Sequence, residues 1–144
     1  MGIKSNNELD KEIDVFARTL YGEARGEGLT GLEAVANVIM NRLKISRQKG
    51  KFWWGNDLVS ICKKPYQFSC WNEKDVNLIK INDITAKDKI FATCVRIARK
   101  AVAGILKDNT NGATHYHAKY IEPFWAKNQI PNADIGQHLF YKIS

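Results

Sequence analysis

Long apolar runs are missing from this chain. No stretch of about 18 consecutive apolar residues occurs in its 144 positions, which excludes a membrane-spanning helix. Proline is scarce, with 3 residues, glycine numbers 10, and no low-complexity run is present. With 26% charged and 44% hydrophobic residues, disordered and fibrous classes are excluded and one compact core is affordable. Three cysteines are too few for a disulfide scaffold, and their odd number leaves at least one thiol free. Cys62 and Cys70 bracket a short loop that a disulfide can close. A secretory signal is also missing: Met1 to Asp14 is polar and carries Glu8, Asp10, Glu12 and Asp14. The expectation is a protein made in the cytoplasm without a signal peptide, reaching any extracellular target by a separate route. With no internal repeat or linker, the chain reads as one domain over 10–144, behind a flexible segment over 1–9.

Acidic residues are few against basic ones, 15 to 22, giving a net charge of +7 and favouring polyanionic surroundings. Nucleic acid, anionic lipid and bacterial cell wall all qualify at this level. A nucleic-acid module is one reading, since aromatics interleave with lysines.

Leu9, Ile13, Phe16 and Leu20 follow a four-three-four spacing, one stripe of an α-helix. The next position on that stripe is Glu23, where the pattern calls for an apolar side chain. Gly22, Gly26 and Gly28 predict that the helix stops there. Thr30-Gly31-Leu32-Glu33 fits a capping box for a second helix, continuing to Leu43 with Leu32, Val35, Ala36, Ile39 and Leu43 on one side. Asn37 and Asn41 sit one turn apart on it and are expected to be buried hydrogen-bonding groups. From Ser46 to Asp83 no helical period persists, so loops and short strands are expected, rich in aromatics such as Phe52, Trp53, Trp54, Phe68 and Trp71. Trp53 and Trp54 are neighbours on an extended segment, so one faces solvent. A third helix is predicted over Thr85 to Ala103, burying Ile90, Phe91, Cys94, Ile97, Ala98, Ala101 and Ile105. Ala113–Ala118 and His138–Ile143 alternate like strands.

Glu23 is the sharpest chemical feature. A carboxyl on the core side of a helix end loses hydration, which favours the protonated form that a glycosidase uses on a glycosidic oxygen. The plain alternative is a salt bridge from Glu23 or Glu27 to Arg25 or Arg42.

Tyr21-Gly22-Glu23-Ala24-Arg25-Gly26-Glu27, with Leu32–Leu43 behind it, resembles the cell-wall hydrolases of the spore-cortex-lytic type (SleB/CwlJ type). Gln67-Phe68-Ser69-Cys70-Trp71-Asn72 resembles the middle motif of that family. Gly112-Ala113-Thr114-His115-Tyr116-His117, Pro123-x-Trp125-Ala126 and Ile135-Gly136-x-His138-x-Phe140-Tyr141 resemble its C-terminal motif. The resemblance implies an α+β, mainly α-helical, lysozyme-like single domain with a small β region. It also implies cleavage of peptidoglycan glycan strands by lytic transglycosylation, with Glu23 as catalytic acid and no cofactor. The expected partner is polymeric peptidoglycan, bound by a monomer without membrane insertion and without nucleic acid.

A hydrolase that retains or inverts needs two carboxylates across the bond, whereas a lytic transglycosylase needs one. Glu27 lies only four residues from Glu23, and Asp57, Asp75 and Asp134 have no motif behind them, so one acid is the economical reading. Gln67, Ser69 and Tyr116 are expected to line the cleft, with Phe68, Trp71 and Trp125 as sugar-stacking surfaces and Glu27 and Arg42 in support. His115 and His117 are expected at the cleft edge. With His138 they form the alternative, a zinc triad for an amidase acting on the lactyl amide. A cysteine nucleophile paired with His115 is a remoter alternative, and Cys94, on a buried stripe, is expected to be inert.

Overall fold

The Ser5 hydroxyl starts the first helix by accepting the Glu8 N–H at 3.2 Å. In this computed structural model, which describes residues 4–65 and 67–143, helix α1 runs Asn6–Ala24. Residues 6–9, expected in a flexible segment, are therefore its first turns, while 1–3 lie outside the described residues. Val15, Phe16, Ala17, Leu20, Tyr21 and Ala24 are buried. They pack α1 against α2 (Gly28–Lys49), α3 (Leu58–Lys63), α4 (Asn77–Asp83) and α5 (Lys89–Val102).

Helix α2 starts two residues before the expected capping box. Gly28 takes φ +75°, the chain turns sharply, and Thr30 is already inside the helix, so the Thr30–Glu33 box does not form. The helix passes Leu43 and stops at Gly50, with φ +81°. Its predicted stripe is buried in the main core, while Ala34 and Val38 on the other side join Ala113 and Phe140 in a second, smaller core. A helix clamped between two cores is apolar nearly all round. Asn37 and Asn41 satisfy their polar groups on one segment. Asn37 Nδ2 donates to the Lys107 carbonyl at 3.0 Å and Asn109 Oδ1 at 3.2 Å, and Asn41 Nδ2 to the Ala113 carbonyl at 2.9 Å. These bonds fix the approach to the sheet.

The stretch from 46 to 83 corrects the expectation of loops and strands. It holds α3, α4 and a 3₁₀ turn over Ser69–Trp71, with no strand among the described residues. Six- and seven-residue helices are too short to show a period, and burial of Ile61, Cys62 and Ile81 holds them in place. Trp54 is buried and donates to Ser46 Oγ at 2.8 Å, while Trp53 is 53% exposed. Helix α5 begins at Lys89 rather than Thr85, because Asp88 caps it by accepting from the Ile90 and Phe91 N–H groups. Ile90 in that first turn and Ile105, beyond Gly104, are exposed, not buried as expected. Cys62, Cys70 and Cys94 are free, buried thiols, so the Cys62–Cys70 loop is closed without a disulfide.

Three short strands complete the α+β, mainly helical fold: β1 (His115–Ala118), β2 (Ala133–Ile135) and β3 (His138–Tyr141), antiparallel in the order β1-β3-β2. β2 is too brief to be read from alternation. Tyr116 pairs with Phe140, and Ala118 with His138.

Asn37→Ala leaves the Lys107 carbonyl and the Asn109 amide without their buried partner, which costs roughly 1–3 kcal/mol. Urea denaturation should show a lowered midpoint with an unchanged slope.

Candidate active site

Glycine at position 22 sets the geometry. A Cβ there would lie 2.6 Å from Cys70 Cβ and 2.8 Å from Cys70 Sγ, so the 3₁₀ turn rests directly on the backbone of α1. At that separation the Cys70 N–H donates to Glu23 Oε2 at 3.2 Å. The other oxygen, Oε1, accepts the Tyr116 hydroxyl from β1 at 2.8 Å. Burial and the adjacent Glu23 carboxylate push the Tyr116 phenol well above its ordinary value, so it stays a donor. Helix, turn and sheet thus meet on one half-buried carboxyl.

Glu23 opens onto a cavity of about 500 Å³, walled by Arg42, Trp53, Gln67, Phe68, His115, Tyr116 and Trp125. Arg42 is 5% exposed and lies over the rings of Trp54 and Phe68, at 5.1 and 5.4 Å. Its Nε donates to the Thr114 carbonyl at 2.7 Å and its Nη1 to Gln67 Oε1 at 3.2 Å, which orients the Gln67 amide in the wall. Burial lowers its pKa to about 10, so it stays charged. The salt-bridge alternative for the acidic pair does not form. Arg25 donates to Asn77, and Glu27 pairs with His138 at 2.7 Å while also accepting the Gln137 N–H at 2.9 Å. Burial alone raises the Glu27 carboxyl, but these two donors outweigh it and hold the group below its ordinary value.

The other carboxylates considered are engaged elsewhere. Asp57 caps α3, Asp75 accepts the Asn77 N–H, and Asp134 pairs with Lys119 at 2.6 Å.

Several expected cleft residues stand outside the cavity wall. Ser69 opens the 3₁₀ turn on the exposed side. Trp71 turns toward α1, donating from Nε1 to Thr19 Oγ1 at 2.8 Å with Lys63 over its ring. One turn of 3₁₀ backbone aims consecutive side chains in different directions, so Gln67 and Phe68 reach the cavity and Trp71 does not. Phe68 is in the wall yet 1% exposed, which makes it core. His117 has both ring nitrogens committed, to the Ala118 carbonyl and the Tyr141 hydroxyl, each at 2.8 Å. The amidase triad has no common centre. Antiparallel register puts His138 on the sheet face of Ala118 and Tyr116, opposite to His115 and His117. Among the described residues no group of three His, Cys, Asp or Glu side chains is placed to hold a metal. Burial pushes the thiols of Cys62 and Cys94 up to about 12 and raises Cys70 further, so none is an activated nucleophile.

The model of the cell wall hydrolase family matches residues 26–141. The chain belongs to the cell wall hydrolase family. It is 30% identical over 136 residues to the spore cortex-lytic enzyme of Halalkalibacterium halodurans, covering 91% of this chain and 34% of that protein. It is 28% identical to the spore cortex-lytic enzyme of Bacillus cereus, covering 95% of this chain and 46% of the relative. The chain thus spans between a third and a half of the length of these relatives. The fold matches the crystal structure of the catalytic domain of the Bacillus cereus SleB protein with a TM-score of 0.71, at 25% identity over 92% of this chain and 91% of that one. It matches the catalytic domain of the germination-specific lytic transglycosylase SleB from Bacillus anthracis with a TM-score of 0.69, at 24% identity over 99% of each chain. The architecture is the expected lysozyme-like one. In this cell wall hydrolase the family match begins three residues beyond Glu23 and contains Gln67, His115, Tyr116 and Trp125.

Sequence reasoning missed the Cys70 N–H as a partner of Glu23. A backbone donor leaves no residue-type signal, and the one trace of it is the glycine before Glu23.

His115 lies 5.2 Å from the Trp125 ring, and burial, then Arg42, lowers its pKa to about 4. The unfolded chain protonates near 6.5 and the folded one near 4, so this histidine's contribution to stability is complete above 6.5. It is lost as pH falls to about 4. An NMR titration should place the His115 midpoint near 4, and His115→Gln should flatten that part of the stability profile.

Proposed function

We propose that this cell wall hydrolase cleaves the β-1,4 bond between N-acetylmuramic acid and N-acetylglucosamine in peptidoglycan, as a lytic transglycosylase with Glu23 as its single acid/base. One observation carries the reading. Of the two carboxylates at the cavities that Glu23 borders, Glu27 pairs with His138, whereas Glu23 has no cationic partner among the described residues and is held by two donors from separate elements. The similarity to a spore cortex-lytic enzyme and to a lytic transglycosylase supports the substrate class.

In the first step the Glu23 carboxylic acid protonates the glycosidic oxygen, and the C1–O bond breaks toward an oxocarbenium ion. The carboxylate left behind keeps the Tyr116 and Cys70 donors. It then takes the proton of the muramic C6 hydroxyl as O6 bonds to C1, closing a 1,6-anhydro ring. The C6 hydroxyl is tethered to the reacting sugar, which gives it a large advantage in effective concentration over a free water. Glu27, ionised and paired with His138, is not available as a second acid. In the wall, Gln67 and His115 offer polar contacts for N-acetyl and hydroxyl groups, and Trp53 and Trp125 offer apolar faces. The excess of positive charge draws the protein to anionic wall polymers.

Glu23→Gln keeps the shape of the side chain but removes the proton. Clearing of purified cell walls should fall about 100-fold or more, with an unchanged melting temperature. Glu27→Gln should lose much less. Full activity in Glu23→Gln, or equal losses in both variants, contradicts the assignment.

A further inference from the structure

Glu23 borders a second groove. Besides the cavity walled by Arg42 and Trp53, it borders one of about 430 Å³ lined by Gly22, Gly26, Asn77, Tyr120 and Gln137. None of its outer residues is needed for the proton transfers at Glu23, and none belongs to the wall of the first cavity. Its polar lining is built rather than incidental. The Arg25 guanidinium holds the Asn77 amide oxygen at 2.8 Å, and Glu27 and His138, both in the lining, pair at 2.7 Å. Gly136, at φ +56°, leaves room for the Glu27 carboxylate, because a Cβ there would lie 2.9 Å from Oε1.

Tyr120 borders this groove with 84% of its surface exposed. Its backbone is not loose. The Lys119 N–H donates to the Gln137 carbonyl at 2.8 Å, the Ile121 N–H to the Ala118 carbonyl at 3.0 Å, and Lys119 pairs with Asp134. The same connection after β1 carries Trp125 into the first cavity, so one segment sets an aromatic ring in each of the two cavities that Glu23 borders. An open aromatic ring beside amides and a guanidinium is a chemistry for sugar: apolar C–H faces stack on the ring, and hydroxyl and acetamido groups bond to the amides.

We infer that this second groove binds the sugars that continue the glycan strand beyond the scissile bond, with Tyr120 as the stacking platform that makes the protein prefer long strands. The inference rests on the transglycosylase reading, and it adds a site and a chain-length specificity. Tyr120 touches no reacting atom, so its contribution falls on binding and not on the chemical step.

The test uses the full chain with Tyr120→Ala and Tyr120→Trp, on purified glycan strands of many repeats and on oligosaccharides too short to cross Glu23 into this groove. Tyr120→Ala should raise KM for the long strands roughly 3- to 10-fold at unchanged kcat, the size of one lost aromatic contact. Short substrates should be unaffected and Tyr120→Trp close to wild type. An unchanged KM on long strands overturns the inference, as does an equal loss on both lengths. A binding measurement separates the two levels. In the Glu23→Gln background, Tyr120→Ala should weaken capture of long strands by the same factor. If the wild type binds long strands through Tyr120 but cleaves no glycan, the transglycosylase reading fails and the groove stands. If it cleaves and Tyr120→Ala binds normally, the groove fails alone.

Discussion

A carboxyl at the C-terminal end of a helix cannot be oriented by that helix, because the neighbouring backbone N–H groups are already bonded within it. Its partners must come from elsewhere in the chain. Here the whole site follows from bringing two donors to Glu23, the Cys70 N–H from a turn 47 residues away and the Tyr116 hydroxyl from a strand 93 residues away. The first requires that nothing stand between turn and helix, which Gly22 provides. The second requires that the sheet be pinned to the helical body. Asn37, Asn41 and Arg42 do this from consecutive turns of α2, by donating to Lys107, Ala113 and Thr114.

Sheet parity then sorts the aromatic and histidine cluster of the C-terminal strands into separate tasks. Tyr116, His138 and Phe140 share one face, where His138 lies edge-on to Tyr116 at 5.3 Å and Phe140 stacks on it at 5.5 Å. His115, His117 and Tyr141 share the other, with Trp125 against all three rings. Tyr116 is therefore packed on both flanks and its hydroxyl has one place to go. A one-residue slip would exchange the faces and remove the donor from Glu23.

Much of this was legible in the residues. The four-three-four stripe located α1 and left Glu23 as its discordant member, the position where local pattern and function part company. Of the paired asparagines of α2, Asn37 is buried as expected, while Asn41 is half-buried though hydrogen-bonded. The short helices α3 and α4, the strand β2 and the real start of α2 were not legible, since each depends on packing or on a single glycine rather than on periodicity. Trp71 and His117 were misplaced for a related reason. Residue type nominates a sugar contact, but the direction of a 3₁₀ turn or a strand decides where the ring goes. Tyr120 was overlooked because one exposed aromatic in a loop carries no pattern at all.

The central claim is that one carboxyl performs both proton transfers and the substrate supplies its own nucleophile. Mass spectrometry of muropeptides released from purified walls tests this most directly. The account predicts chains ending in 1,6-anhydro-muramic acid, lighter by one water than hydrolytic products and resistant to borohydride. Reducible muramic ends would contradict it by requiring a second catalytic group, and free stem peptides with intact glycans would place the cut at the amide instead.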